Sequence, residues 1–243
     1  MCIISQLMMK YKLIILMVFA TVVISCKKAT NVRLVEGESS GKMSYRLVDD
    51  SGAGLPGIRV GVYRIRSHSG GTYFDPSSLL DTVRTDKDGI ALFSMLNPAN
   101  YLVVPDSPKL NNVAYNIREY VQVVAGKEKK KVTKVSDFSG AINVTLRSSL
   151  DYVTPIRSMG IAVIPYNSLV YRPDNLKELL DGATIRGVTN NEGFVSIKVP
   201  ADISYRLLIY GLYNRTIIYG SDEYRVQKDG LAYSSLYMNP INQ

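Results

Sequence analysis

Two tight turns of similar sequence, 104 positions apart, constrain the fold of this chain of 243 residues more than any other feature. The first is Thr85–Phe93 (TDKDGIALF) and the second is Thr189–Ile197 (TNNEGFVSI). In each, Asp or Asn side chains can accept hydrogen bonds from nearby backbone N–H groups and a Gly supplies a positive φ, which is typical of a β-hairpin. Tyr101 and Tyr205 follow the two turns at the same spacing, so the pattern predicts duplicated modules.

Short segments of alternating apolar and polar residues surround both turns. Ile58–Ile65 alternates strictly, and Ala141–Leu146 is predicted to be the last strand of the first module. Seven short strands with frequent turn signals in the first half are typical of a sandwich. The sequence therefore predicts an all-β fold of two tandem β-sandwiches, at 42–148 and 149–243, that meet near Ser148.

One helix is predicted, at Pro173–Leu180. Leu176, Leu179 and Leu180 share one of its faces, so we expect the helix to pack on the second sandwich as a cover. An exposed recognition helix is the alternative.

Residues 1–25 have the features of a secretory signal peptide. Lys10 and Lys12 precede the apolar run Leu13–Ile24, which is too short for a membrane-spanning helix because such a helix needs about 20 apolar residues. No charge precedes Lys10, so Met1, Met8 and Met9 are the candidate start residues: they are the methionines upstream of the run.

The end of this run, Val23–Cys26, resembles the lipobox of bacterial lipoproteins. The resemblance implies that Cys26 is acylated, becomes the first residue of the mature protein and anchors it in the outer membrane of a Bacteroidetes-type envelope. Residues 26–41 are then the lipidated Cys and a flexible tether. Lys27 and Lys28 stand where surface-exported lipoproteins usually have acidic residues, which favours the periplasmic face but leaves surface display open. Cys2 lies upstream of the cut.

A longer pattern carries a second resemblance. The segments Asp49–Val60, Thr85–Leu96 and Tyr101–Val103 resemble the prealbumin-like β-sandwich superfamily, which includes carboxypeptidase regulatory-like domains and collagen-adhesin B-type repeats. The resemblance implies Ig-like or prealbumin-like sandwiches and names no ligand, since such sandwiches serve as spacers, stalks and binding modules.

Some B-type repeats form an intramolecular Lys–Asn isopeptide bond beside a buried carboxylate. This chain departs from that pattern, because Leu47 stands where the family places the lysine. Lys42 and Asn143 are the nominal candidates, and we expect both to be solvated. The resemblance also extends to fimbrial subunits and anchors, which implies that the C-terminal segment Ala232–Met238 either closes its own sandwich or pairs with a neighbouring chain.

The composition argues against catalysis, metal binding and cofactor binding. The chain has one histidine, His68, and two cysteines, so it lacks the side chains for a metal cluster or a nucleophile–base pair. Asp86 and Asp88 belong to a turn, and turn chemistry explains them. We therefore predict a protein that is not an enzyme, with no metal and no cofactor except a covalent lipid on Cys26.

The net charge is +8, and its strongest local source is a lysine run between two predicted strands. We expect a solvated hairpin that protects a sheet edge; contact with an anionic surface is the alternative. The secretory leader argues against nucleic acid as a partner. The lysines are Lys127, Lys129, Lys130, Lys131 and Lys134.

The chain has 17 Tyr and no Trp. Most strand tyrosines are expected to cover the cores, whereas exposed tyrosines could form a platform for glycan rings. The candidates for such a platform are Tyr213, Tyr219, Tyr224, Tyr233 and Tyr237.

Together these features predict a non-catalytic, membrane-anchored envelope lipoprotein that acts as a structural, adhesion or protein-interaction module. Its expected partners are the membrane, through the lipid, and a protein or a cell-surface polymer. The alternatives are an accessory glycan-binding lipoprotein of a polysaccharide uptake system and a fimbria-associated subunit or anchor.

Overall fold

A computed structural model describes residues 39–68, 71–73, 76–166, 173–213, 215–220 and 223–239. The predicted signal peptide, Cys26 and nearly all of the predicted tether lie outside the described residues. No helix within these ranges is long and apolar enough to cross a membrane.

The strands up to residue 134 build a first sandwich. They are β1 Gly41–Val48, β2 Arg59–Arg64, β3 Arg66–His68, β4 Gly71–Tyr73, β5 Leu79–Arg84, β6 Ile90–Leu96, β7 Ala99–Pro105, β8 Lys109–Leu110, β9 Val113–Ala114, β10 Glu119–Val123 and β11 Glu128–Lys134. Three form a sheet in the order β11-β1-β6, and four form a sheet in the order β10-β7-β2-β5. β1 runs parallel to β11 and antiparallel to β6. Side chains of both sheets, among them Tyr45, Phe93 and Val103, form one apolar core between them.

The remaining elements build a second sandwich. They are β12 Ser139–Ser148, β13 Met159–Pro165, α1 Leu176–Gly182, β14 Ile185–Val188, β15 Phe194–Pro200, β16 Ile203–Gly211, β17 Ile217–Gly220, β18 Tyr224–Val226 and β19 Leu231–Met238. Three form a sheet in the order β15-β12-β19, and the facing sheet has the order β14-β13-β16-β17, with β18 also paired to β16. The all-β sandwich fold expected from the sequence is thus confirmed.

The predicted helix exists and covers an apolar surface. A 3₁₀ turn at Pro173–Asn175 precedes α1. Leu180 is buried, and Leu176 and Leu179 pack against the same cluster, which includes Tyr210. The three leucines therefore hold α1 against the outer side of the β13–β16 pair.

The two turns that repeat in the sequence have the same hydrogen bonds. Asp86 Oδ1 accepts from two backbone N–H groups at 2.9 Å, and Asn190 Oδ1 does the same. Gly89 and Gly193 have φ angles of +77° and +67°. An added Cβ would meet a carbonyl oxygen of the first strand of its sandwich at 2.3 Å in one turn and 2.4 Å in the other. Only Gly fits both the φ angle and this close approach.

A buried threonine binds each turn to the chain segment that leads into β2 or β13. Thr85 Oγ1 donates to Leu55 O at 2.7 Å and accepts from Ile58 N at 2.9 Å. Thr189 Oγ1 donates to Ile156 O at 3.1 Å and accepts from Met159 N at 3.0 Å. The repeat is therefore a repeat of hydrogen-bonded geometry as well as of sequence.

Strand pairing joins the segment 141–146 to strands of the second half of the chain. The predicted boundary near Ser148 assigned 141–146 to the first module, whereas β12 pairs antiparallel with β15 and parallel with β19. β12 is thus the first strand of the second sandwich, and the sheets divide near Phe138. Alternation identifies this segment as a strand but does not select its neighbours, which lie far along the chain.

Candidate interaction surface

The outer face of the β15-β12-β19 sheet exposes several large side chains. Leu231, Tyr233 and Tyr237 of β19 are 57%, 71% and 50% exposed, and Tyr152 in the turn after β12 is 64% exposed. We name these four residues the tyrosine face. Large exposed apolar patches on a folded chain are typical of contact surfaces.

The alternation of β19 creates this face. Its even-numbered residues, including Ser234 and Met238, point into the core, and its odd-numbered residues point outward. In most strands with one solvated face the outward residues are polar. Here the outward positions at 231, 233 and 237 are Leu and Tyr, and nothing in the core requires those residue types.

Tyr152 reaches the face because of the turn that carries it. Asp151 Oδ1 accepts from the N–H groups of Val153 and Thr154, both at 3.0 Å, and Tyr152 has a φ of +60°. The Tyr152 ring meets the Tyr237 ring edge to face, with centroids 5.3 Å apart. A left-handed backbone at a bulky residue is uncommon, so the turn holds Tyr152 in a costly conformation that places it beside Tyr237.

The carboxyl group of Asp151 stabilises this turn as an anion. A hydrogen bond from the Thr154 hydroxyl, followed by the backbone N–H groups, holds the pKa of Asp151 below its ordinary value. The turn keeps its hydrogen bonds at neutral pH, since the carboxylate is ionised there.

Asn143 lies in the middle of the same face. It is opposite Ser196 on β15 and opposite Tyr233 on β19. Its Oδ1 is buried and has no hydrogen-bond partner among the described residues. A buried acceptor without a donor costs about 1–3 kcal/mol, so a water molecule or a ligand hydroxyl that donated to it would lower the free energy.

A groove of about 650 Å³ opens at the end of the face where β12 and β19 begin. Its lining includes Ser196, Lys198, Lys228 and Asp229. Lys228 Nζ lies 4.7 Å from the centroid of the Phe138 ring and 3.9 Å from Asp229 Oδ2. Positive, negative and hydroxyl groups therefore surround one open groove, which suits a polar ligand with several hydroxyl groups.

The structure brings together two of the five tyrosines proposed as a glycan platform. Tyr233 and Tyr237 share the tyrosine face, whereas Tyr213 is 90% exposed in the turn after β16. Tyr224 is half-buried, with its hydroxyl 2.8 Å from Ser234 Oγ. The side chain of Tyr219 lies outside the described residues. Tyr152 was not among these candidates, because its place beside Tyr237 depends on a left-handed turn.

The lysine run does not form a single patch. Lys127 precedes β11, and the other four lysines lie on that edge strand. Alternation directs Lys129 and Lys131 toward the inner side of the sheet and Lys130 and Lys134 toward the outer side.

Acidic groups lie close to three of these lysines. Lys131 Nζ is 2.9 Å from a Glu119 oxygen, Lys134 Nζ is 3.3 Å from Asp50 Oδ1, and Lys130 Nζ is 3.9 Å from a Glu128 oxygen. Part of the positive charge of the run is therefore neutralised within the chain.

Glu119 is the centre of a polar cluster between the two sheets of the first sandwich. Its Oε2 accepts from Tyr45 Oη at 2.8 Å and from Thr133 Oγ1, and its Oε1 pairs with Lys131. Its side chain is 13% exposed. Burial, together with the charge of Glu119, raises the pKa of Tyr45. The cluster joins β1 and β11 of one sheet to β10 of the other.

The nominal isopeptide pair is not brought together. Lys42 lies on β1, opposite Glu128, and Asn143 lies on β12 in the other sandwich. The buried carboxylate that does exist, Glu119, has an ammonium group and two hydroxyls around it. The described residues also contain no cluster of three or more His, Cys, Asp or Glu side chains placed to hold a metal ion.

No family model matches the chain, and no curated protein matches it. Among solved structures, the Bacillus anthracis TIE protein is 15% identical, with a TM-score of 0.36, over 82% of this chain and 34% of that protein. A streptococcal ancillary pilin is 16% identical, with a TM-score of 0.36, over 84% of this chain and 63% of the pilin. The minor pilin of Streptococcus agalactiae is 13% identical, with a TM-score of 0.36, over 84% of this chain and 98% of that pilin.

The chain therefore spans about a third of the first of these proteins and less than two thirds of the second. Because the TM-scores are low, the sandwich fold rests on the strand pairing described above.

Proposed function

We propose that this chain is a non-catalytic envelope lipoprotein, anchored in the outer membrane through Cys26, that presents the tyrosine face as a contact surface for a protein or a cell-surface polymer. The observation that carries the contact role is the chemistry of β19, which has exposed Leu and Tyr side chains and no charged residue from 231 to 238. The anchor rests on the sequence of Val23–Cys26.

The first sandwich supplies an internal comparison for the contact role. β11 and β19 occupy the same position, each parallel to the first strand of its sandwich and at the edge of its sheet. Charged side chains on an edge strand oppose pairing with other chains, and lysine is the commonest choice. β11 carries Lys129–Lys131, whereas β19 has no such protection.

Metabolic labelling with an alkyne-bearing fatty acid tests the anchor. We expect label on the full chain and none on the Cys26→Ala variant. When the proteins are partitioned between a detergent-rich and an aqueous phase, this variant should move to the aqueous phase. Cys2→Ala is the matched control, because that cysteine lies in the predicted leader and its loss should not change labelling. Label on Cys26→Ala would contradict the anchor.

Protease treatment of intact cells tests the location. Digestion of the tagged chain in whole cells would place the tyrosine face outside the cell. Protection until the outer membrane is opened would place it in the periplasm and direct the search toward periplasmic partners.

A role as an accessory glycan-binding protein is the second candidate, and the groove beside the tyrosine face favours it. Aromatic rings next to hydroxyl and charged groups suit sugar rings and their hydroxyls. Affinity electrophoresis in polysaccharide gels tests it: retardation of the full chain should be lost in Tyr233→Ala and Tyr237→Ala and kept in Tyr213→Ala. Equal migration of all four chains in every polysaccharide would remove this candidate.

We further propose that the two sandwiches are separate domains that meet near Phe138. Each has its own apolar core. Contacts across the junction include the bonds from Ala201 N to Phe138 O at 2.9 Å and from Asn116 Nδ2 to Asp202 O at 3.4 Å.

Two further roles stay as proposals: contact of the β11 lysines with an anionic surface, and association with fimbriae. The protease treatment of intact cells bears on both, because it shows which surface the chain can reach.

A further inference from the structure

The outer edge of β19 has backbone groups that no strand among the described residues uses. Ala141 N donates to Gly230 O at 3.0 Å and Ser149 N donates to Met238 O at 2.9 Å, so the even-numbered residues direct their carbonyl groups toward β12. Successive residues of a strand direct their N–H and C=O groups to opposite sides. The odd-numbered residues, Tyr233, Ser235 and Tyr237 among them, therefore direct theirs to the open edge, where no described strand pairs with them.

The edge formed by β19 carries no charged side chain, whereas edge strands that resist pairing with other chains usually do. A strand that pairs with a copy of itself about a two-fold axis places like charges close to like charges, so a charged strand opposes self-pairing. β11 would bring its lysines together in this way. β19 has the sequence LAYSSLYM and contains neither a charged residue nor a proline.

We propose that a second copy of this chain pairs with the first through β19, antiparallel and centred on Ser235. In this register Ser235 lies opposite Ser235 of the second copy, and Tyr233 lies opposite its Tyr237. The two sheets join into one six-stranded sheet with the order β15-β12-β19-β19-β12-β15. The inference rests on the proposed role of this face as a contact surface.

Side-chain chemistry selects this register. On the outer face, aromatic residues directly opposite each other across antiparallel strands stabilise the pair, and the register provides this contact twice, once on each side of the axis. The residue on the axis meets its own copy, so it must be small, and Ser235 is small and exposed. On the inner face Ser234 lies opposite Leu236 of the second copy, so the side chains that meet there are uncharged.

The assembly also enlarges the tyrosine face. Pairing at the edge leaves the outer sides of Tyr233 and Tyr237 uncovered and joins the faces of two copies across the axis. A polymer that contacts one copy would then meet the same residues again on the second copy, which raises its apparent affinity without a new kind of contact.

A cysteine on the axis tests the geometry. In the register centred on Ser235 the two Cα atoms are about 5.5 Å apart, which a disulfide bond can span. We expect the full chain with Ser235→Cys, in membranes or in mild detergent, to give a band of twice the mass on a non-reducing gel after mild oxidation, and reductant to abolish the band. Ser196→Cys, exposed on the opposite edge of the same sheet, is the matched control and should stay single. The unsubstituted chain controls for its own cysteines.

A charge on the axis tests the assembly itself. Ser235→Lys places two ammonium groups opposite each other, so the mass measured by light scattering in detergent should fall from two chains to one, whereas Ser235→Thr should keep two. Circular dichroism of each variant checks the fold, and position 235 is exposed, so a lysine fits there in a single chain.

A single-chain mass for the unsubstituted protein, or a disulfide-linked band from Ser196→Cys but not from Ser235→Cys, would overturn the proposal. Neither result depends on fatty-acid labelling or on polysaccharide binding. The dimer can therefore fail while the proposed function holds, and the function can fail while the dimer holds.

Discussion

The phenolic hydroxyl of Tyr45 donates to Glu119 Oε2 over 2.8 Å, and this bond joins the two sheets of the first sandwich. We expect Tyr45→Phe to lower the free energy of unfolding by about 1.5–3 kcal/mol, because a largely buried carboxylate loses a hydrogen bond to its charge. Urea unfolding at neutral pH measures it. Lys134→Met is the control: its ion pair with Asp50 is exposed and screened by solvent, so its loss should change the stability far less. Equal losses for the two variants would contradict the role of the cluster.

At alkaline pH the free energy of unfolding should fall more steeply with pH than it would if Tyr45 and Tyr205 were exposed. Burial, followed by the charge of Glu119, raises the pKa of Tyr45, and burial raises that of Tyr205. Above the ordinary tyrosine pKa of about 10 the unfolded chain releases these protons and the folded chain keeps them, so the free energy of unfolding falls as pH rises. Urea unfolding from about pH 8 to 11 should show this fall, and Tyr45→Phe should reduce its slope. Parallel curves for the two proteins would contradict it.

The two turn glycines should be equally intolerant of a side chain. Gly89→Ala and Gly193→Ala combine a positive φ with a Cβ that meets a carbonyl oxygen of the first strand, at 2.3 and 2.4 Å. We expect each to lower the free energy of unfolding by more than about 1 kcal/mol. Gly182→Ala, at the end of α1 with open space around the added Cβ, should have no effect or a small stabilising one. Thermal unfolding of the three variants makes the comparison, and a similar midpoint for all three would refute it.

The contact between Tyr152 and Tyr237 should be measurable as a coupling energy. A double-mutant cycle with alanine should give about 0.5–1 kcal/mol of interaction, because edge-to-face rings attract each other and the pair is partly exposed. A cycle between Tyr213 and Tyr237 is the control and should give none. The same coupling in both cycles would mean that it does not come from ring contact.

Local chemistry made part of this fold predictable. The hairpin turns depend on Asp or Asn and Gly within a few residues, and α1 depends on the spacing of three leucines, so both could be predicted from short segments. The membership of β12 could not, since the partners that decide it, β15 and β19, are distant in the chain. Lys130 and Lys131 lie on opposite sides of β11, because neighbouring residues of a strand point in opposite directions.

The candidate surface was only half predictable. Tyr233 and Tyr237 could be chosen as exposed from the alternation of the last strand. Tyr152 could not, because its position depends on a left-handed turn and its partner is 85 positions away. Glu119 was missed for a similar reason, since its cluster needs three strands of two sheets.

The parallel pairing of first and last strands determines how each sandwich responds to tension. A pulling force that enters at the beginning of β1 and leaves at the end of β11 acts at opposite ends of one hydrogen-bonded pair. The load therefore runs along the strands, and the backbone bonds of the pair resist together in shear instead of opening one at a time. β12 and β19 repeat this arrangement over eight paired positions, Ala141–Ser148 with Leu231–Met238. A chain pulled from its two ends thus carries two shear-loaded clamps in series.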